Sequence, residues 1–158
     1  CSYGGDKGIF AFGDSGSYWM DRGTELESEA REFYIKNFLG STLLDVEQVG
    51  FCLLDGQFIG CSPDALLGEF GGLEIKCPSA KVHNKYLREG RLPPAYYQQV
   101  MGSLLVTGRK WWDFMSYHPS YKKQVIVRVF RNEEYLSKML EHLTIAAEKI
   151  QNDIKKYT

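Results

Sequence analysis

Three side chains near the middle of the chain have the types and spacing of a phosphate-hydrolysing site. Glu74-Ile75-Lys76 sets an acid and an amine two residues apart. On a strand, side chains at i and i+2 point to one face, so the two would emerge together. Ser62-Pro63-Asp64 lies upstream, where a returning strand should end, so Asp64 and Glu74 can meet at one sheet edge. Two carboxylates there would bind a hard divalent cation through oxygen. The Ile75 backbone carbonyl, between Glu74 and Lys76, can add a third ligand. The Lys76 charge can position an attacking hydroxide and stabilise charge on the attacked phosphate. An E-x-K triplet is common by chance with 12 Glu and 12 Lys present. The bland alternative is a turn Asp and an exposed strand salt bridge.

Other candidates surround this triplet. Glu27 has Arg31 one helical turn on. Either the pair is a solvated helix face, or the helix lends Glu27 to a second metal, and the pattern leaves both open. Lys81, His83, Lys85, Arg88 and Arg91 follow the triplet with only Glu89 opposing. That basic run suits a phosphate backbone, though an isolated charge run is more often a solvated face. Trp111, Trp112, Tyr96 and Tyr97 can stack on bases, but their places on expected strand and helix faces favour core packing. Gly13-Asp14-Ser15-Gly16 superficially matches a serine-protease nucleophile. Every His follows it and no barrel precedes it, so it reads as a Gly-rich turn.

These groups need a sheet and flanking helices to hold them. Residues 1–20 show no clear period and read as irregular. Asp21 to Leu39 is helical, with Leu26, Ala30, Phe33 and Asn37 on one face, Tyr34 and Phe38 beside it, and Gly40 as the stop. Residues 43–54 read as a strand, Asp55-Gly56 as a hairpin turn, and 57–61 as the returning strand. Gly71-Gly72 precedes a short strand from Leu73 to Cys77. A basic helix is expected over 79–90, and Pro93-Pro94 opens another from Ala95 to Thr107. Residues 110–117 and 124–131 read as strands. A final amphipathic helix carries Leu136, Leu140, Leu143, Ala147, Ile150 and Ile154 as its stripe. This is an α/β pattern with a mixed central sheet flanked by helices, in one domain spanning 1–158.

Composition bounds the answer. The 158 residues are 44% hydrophobic and 25% charged, which excludes disordered and low-complexity classes. No apolar run reaches the roughly 18 residues of a membrane span. The net charge of -1 hides -9 over residues 1–75 and +8 over 76–158. Carboxylates that hold cations would thus sit beside a basic surface that holds phosphates. Cys1, Cys52, Cys61 and Cys77 form no C-x-x-C pair and have no ligand spacing to His83, His118 or His142, which argues against zinc. They read as reduced cytosolic thiols. A start at Cys1 suggests that the true beginning is missing.

Four stretches in order resemble one family: Gly23–Tyr34 (GTELESEAREFY), Gly60–Leu67 (GCSPDALL), Gly71–Pro78 (GGLEIKCP) and Tyr96–Pro119 (YYQQVMGSLLVTGRKWWDFMSYHP). Together they resemble the phage lambda exonuclease family, the YqaJ-type viral recombinases of the PD-(D/E)-x-K nuclease superfamily. The resemblance implies a restriction-endonuclease-like core and a Mg2+-dependent exonuclease, with Mn2+ a plausible substitute and two metals possible. Such enzymes digest the 5′ strand of duplex DNA from its ends. By motif, Asp64 and Glu74 match the metal-binding carboxylates, Lys76 the catalytic lysine, Glu27 the helix-borne acid and Gln99 a glutamine near the active site. The resemblance further implies a homotrimer, a single-strand annealing protein as partner, and a phage- or prophage-encoded protein in the bacterial cytoplasm. An upstream segment with DNA-contacting arginines, expected of the family, has no match here. A non-catalytic DNA-binding module on the same fold and an endonuclease of the same superfamily are the alternatives.

Overall fold

The structure is a computed structural model. It describes residues 10–12, 20–40, 42–54 and 59–157, and the side chains of all these from residue 25 onward. Cys1, the Gly13–Gly16 stretch and the Asp55-Gly56 turn lie outside the described residues.

A five-stranded mixed sheet forms the centre. Its order is β2 (Val46–Glu47), β5 (Ala65–Leu67), β6 (Gly71–Lys76), β7 (Trp111–Ser116) and β8 (Val125–Phe130). Only the β6–β7 pair is parallel. The chain between these two strands crosses over through α2 (Ala80–Glu89), a 3₁₀ turn (Pro94–Tyr96) and α3 (Tyr97–Thr107), as a parallel pair requires. A second sheet joins β1 (Phe10–Phe12), β4 (Ile59–Cys61) and β3 (Cys52–Leu53).

Each face of the large sheet has its own apolar layer. Ala30 and Tyr34 of α1 (Met20–Tyr34) pack with Leu73, Ile75, Ala65, Leu67 and Met115. On the other face, Val100, Met101 and Leu104 of α3 and Leu136 and Met139 of α4 (Glu133–Tyr157) cover Leu66 and Trp112. The alternation along β6 therefore sends Leu73 and Ile75 toward α1, and Glu74 and Lys76 toward α3. Burying each large aliphatic side chain contributes roughly 1.5–3 kcal/mol.

Gly71 and Gly72 are required by register. They stand opposite Trp111 and Trp112, whose rings occupy the space that a Cβ at either glycine would need. Trp112 is fully buried and cannot swing away. Gly72→Ala should therefore cost about 2–3 kcal/mol by overpacking, read as a lower midpoint in denaturant unfolding.

The structure corrects several expectations. Phe10–Phe12, expected to be irregular, pairs in parallel with β4. The expected strand over 43–54 is two two-residue strands in different sheets. The chain changes sheets at the bend around Gly50, whose carbonyl accepts from the Ser62 hydroxyl at 2.6 Å. Ala65–Leu67 is a further strand, absent from the sequence pattern. The first helix ends in a π-helical turn, Ile35–Leu39. Its buried face runs through Ala30 and Tyr34, while Asn37 and Phe38 are exposed. Tyr34 is drawn inward by a buried acid: its hydroxyl donates to Asp113, which also takes two hydrogen bonds from Arg128 at 2.8 and 2.9 Å.

Candidate functional site

Ser62-Pro63-Asp64 carries the chain from the small sheet into the large one. Ala65 stands opposite Leu73 and Leu67 opposite Gly71. Carried two residues further, this register sets Pro63 against Ile75. Proline has no N–H to donate, so the ladder stops there. Asp64 takes over: its Oδ2 accepts from the Ile75 N–H at 2.5 Å, and its own N–H donates to the Leu73 carbonyl at 3.2 Å. A strand residue's N–H and C=O point the same way, so the Ile75 carbonyl also faces the Asp64 side.

Glu74 is 4% exposed and arrives from the α3 face. Gln99, in the first turn of α3, donates from Nε2 to Glu74 Oε1 at 2.7 Å. Lys76 Nζ lies 3.1 Å from the same oxygen and 5.3 Å from the centre of the Tyr96 ring. Tyr96 in turn stacks on Phe114 at 5.1 Å. The ammonium thus sits between a carboxylate and an aromatic face, on a stem the protein covers.

Glu27 reaches this end of β6 from α1, on the opposite face. Arg31 Nη2 donates to Glu27 Oε1 at 2.8 Å, and Arg31 Nε donates to the Asp64 backbone carbonyl at 3.2 Å. Burial first, then the charges of Glu74 and Glu27, push the Asp64 carboxyl up to about 8, with Lys76 opposing. The neighbouring Cys77 thiol is pushed up to about 12 by burial and by Glu27, Asp64 and Glu29. Asp64 therefore feels both Glu74, which the spacing placed near it, and Glu27, which the sequence pattern had left open. Asp64 and Glu74 meet at the end of β6 inside the sheet, and at no outer edge.

The donor set fits a hard divalent cation. Among the described residues, no three His, Cys, Asp or Glu side chains form a ready-made cage. Mg2+ does not need one: it is commonly held by one or two carboxylates plus substrate phosphate, and keeps several waters. Asp64, Glu74 and the Ile75 carbonyl provide that, and an acid pushed up to about 8 by burial and by the charges beside it gains from an added positive charge.

Lys81, Lys85 and Arg88 share one exposed face of α2, and Arg91 is exposed just beyond it. His83 is a correction. It is fully buried, with Nδ1 2.9 Å from Ser116 Oγ and Nε2 3.3 Å from the Lys123 carbonyl. Burial lowers its pKa, keeping it neutral, so it offers phosphate neither charge nor access. His83→Ala should cost about 2–4 kcal/mol through a cavity and an orphaned Ser116 hydroxyl. It should leave the salt slope of DNA affinity unchanged. The pair Lys85→Ala and Arg88→Ala should lower that slope by about two. Thermal melts and salt-titrated duplex binding check both.

The aromatic candidates are mostly structural. Trp112 is core, Arg128 stacks over Trp111 at 3.7 Å, and Tyr97 packs edge-on against Tyr135. The Arg31 link to Asp64 and the place of Tyr96 beside Lys76 emerge only in the fold. Only the i,i+4 spacing to Glu27 hinted at the first, and nothing local signalled the second.

Residues 5–110 match the YqaJ-like viral recombinase domain. The chain belongs to that family. Among solved structures, it resembles the alkaline exonuclease LHK-Exo from Laribacter hongkongensis at 30% identity and a TM-score of 0.69. That match covers 92% of this chain and 78% of the other. LHK-Exo in complex with dAMP matches at 31% identity and 0.68, with the same coverage. A phage-related exonuclease from Haemophilus somnus 129PT is 14% identical with a TM-score of 0.65, over 92% of this chain and 76% of that one. At that identity it speaks for the fold alone, a mixed central sheet flanked by helices, as the sequence pattern leads one to expect. No curated protein sequence is matched.

Proposed function

We propose that this chain is a divalent-metal-dependent exonuclease that digests duplex DNA from its ends in the 5′-to-3′ direction. The observation that carries the reading is the convergence of Asp64, Glu74 and Lys76, with Gln99 hydrogen-bonded to Glu74, at one end of β6. The family membership and the dAMP bound by LHK-Exo, a mononucleotide of the kind such an enzyme would release, support it.

Asp64, Glu74 and the Ile75 carbonyl would hold the ion, Mg2+ or Mn2+, with Glu27 serving a second. When bound, the ion supplies Lewis-acid stabilisation of the attacked phosphate and lowers the pKa of water. The chain's own part is positioning. Gln99 fixes the Glu74 carboxylate, and Lys76 holds its charge where the attacking oxygen and the phosphate must meet. The exposed face of Lys81, Lys85 and Arg88, with Arg91, would follow the phosphate backbone. A homotrimer and a single-strand annealing partner extend the proposal. Among the described residues, no helix is long and apolar enough to cross a membrane.

The test is digestion of end-labelled linear duplex with and without Mg2+, comparing 5′-phosphate with 5′-hydroxyl ends. Metal-dependent release of 5′-terminal mononucleotides is expected. Binding without hydrolysis would favour a DNA-binding module, and cutting of closed circular DNA an endonuclease.

A further inference from the structure

We propose that Arg31 is a positioning residue that sets Glu27 against Asp64 and so builds the second metal position. The inference rests on the nuclease reading above and adds a residue to it.

The geometry is a three-part tie. Nη2 of Arg31 donates to Glu27 Oε1 at 2.8 Å, and Nε donates to the Asp64 backbone carbonyl at 3.2 Å. Gln48 also faces the guanidinium, and the orientation of its amide that satisfies both groups sets its oxygen to accept from Nε at 3.1 Å and from Nη1. One rigid planar group therefore joins α1, the segment after β2 and the turn into β5. Arg31 is 13% exposed in its side chain against 35% for Glu27. The arginine is the fixed partner, and the glutamate is the one that needs fixing. Glu27 comes from the face of the sheet opposite Glu74. A long side chain at such a site would otherwise sample several rotamers, and ordering it costs entropy. Because the same guanidinium grips the Asp64 main chain, the spacing of the two acids is set by one residue.

Charge points the same way. Glu27, Asp64 and Glu74 crowd one end of β6, and among the described residues Arg31 touches Glu27 and the Asp64 backbone while Lys76 touches Glu74. The Arg31 guanidinium, 2.8 Å from Glu27 Oε1, offsets that carboxylate directly. Its N–H groups are directed at Glu27, Asp64 and Gln48, which fits a role inside the protein and not on a DNA phosphate. Removing a partner of this kind typically costs 10–100-fold in metal affinity or activity.

The experiment is calorimetric titration of Mn2+ into the parent, Arg31→Gln, Arg31→Lys, Glu27→Gln and the Arg31→Gln/Glu27→Gln double variant. Thermal melts in chelator and single-turnover cleavage of linear duplex accompany it. The parent should bind two ions. Arg31→Gln and Glu27→Gln should each weaken the weaker site at least tenfold and spare the stronger one, and the double variant should be no worse than Glu27→Gln. Arg31→Lys keeps the charge but not the fork, and should fall between parent and Arg31→Gln while melting with the parent. A parent that binds one ion, an Arg31→Gln that keeps both sites, or effects that add in the double variant would overturn the inference. A parent that binds Mn2+ but releases no nucleotides would instead overturn the nuclease reading.

Discussion

Lys76→Met is expected to lower the cleavage rate by about 10²- to 10³-fold, the scale on which loss of one preorganised charge stabiliser is felt, while duplex affinity changes less than about twofold. Methionine keeps an unbranched apolar stem beside Tyr96 and removes only the ammonium. The ammonium is 3.1 Å from Glu74 Oε1 and its side chain is 12% exposed, so it lies in the site and not on the DNA-binding surface. On the proposed function a charge so placed would act on the reacting phosphate, and phosphates farther along the duplex would be left to Lys81, Lys85, Arg88 and Arg91. Single-turnover cleavage and filter binding in chelator separate the two quantities. A variant that cuts at the parental rate would remove Lys76 from the site. One that loses affinity in proportion to rate would make it a binding residue instead.

The legible parts of this chain were those where local pattern and tertiary packing agree. In the α4 stripe Leu136 and Ala147 are buried and Leu140, Leu143 and Ile150 half-buried, while Ile154 at its far end is exposed; the Val- and aromatic-rich runs at Trp111–Ser116 and Val125–Phe130 pair with each other. The triplet Glu74-Ile75-Lys76 was readable because the strand period forces both charged side chains to one face. What stayed hidden depends on contacts distant in sequence. Ala65–Leu67 is three residues long and is a strand only because β6 lies beside it. Val46–Glu47 and Cys52–Leu53 look continuous until two sheets compete for them. Asn37 sits at the right helical spacing from Phe33, but the buried path runs through Tyr34 to Asp113, 79 positions away. His83 read as one more basic residue in a basic run, although α2 has to bury one face and His83 falls on it with Ser116 waiting beneath. At the site, the acids could be nominated from motif. The Arg31 bridge to Asp64 spans 33 positions, and its one local sign is the i,i+4 spacing of Arg31 to Glu27.

Asp64→Asn is expected to stabilise the metal-free protein at alkaline pH. In the folded chain, burial and the charges of Glu74 and Glu27 push the Asp64 carboxyl up to about 8, against an unfolded value near 4. Between these values the folded state holds a proton that the unfolded state has released. Stability from this group is therefore full below about pH 4, falls as pH rises toward 8, and is flat above. Asparagine never ionises, still has an oxygen to accept from the Ile75 N–H, and can donate its amide to the neighbouring acids. In chelator at pH 8–9 the variant should exceed the parent by a few kcal/mol, on the order expected for a shift of this size, and the gap should close near pH 4. Saturating Mg2+ should reverse the order. The parent gains stability by binding, while the variant lacks the carboxylate that binds. Below pH 8 the ion held by Asp64 must displace its proton, so the apparent affinity for that ion should rise about tenfold per pH unit and level off above 8. Thermal melts from pH 4 to 9, in chelator and in Mg2+, read all of these effects. An Asn variant less stable than the parent in chelator at pH 8 would show that the Asp64 carboxylate is held by the fold and not strained by it. The site would then have no electrostatic demand for a cation.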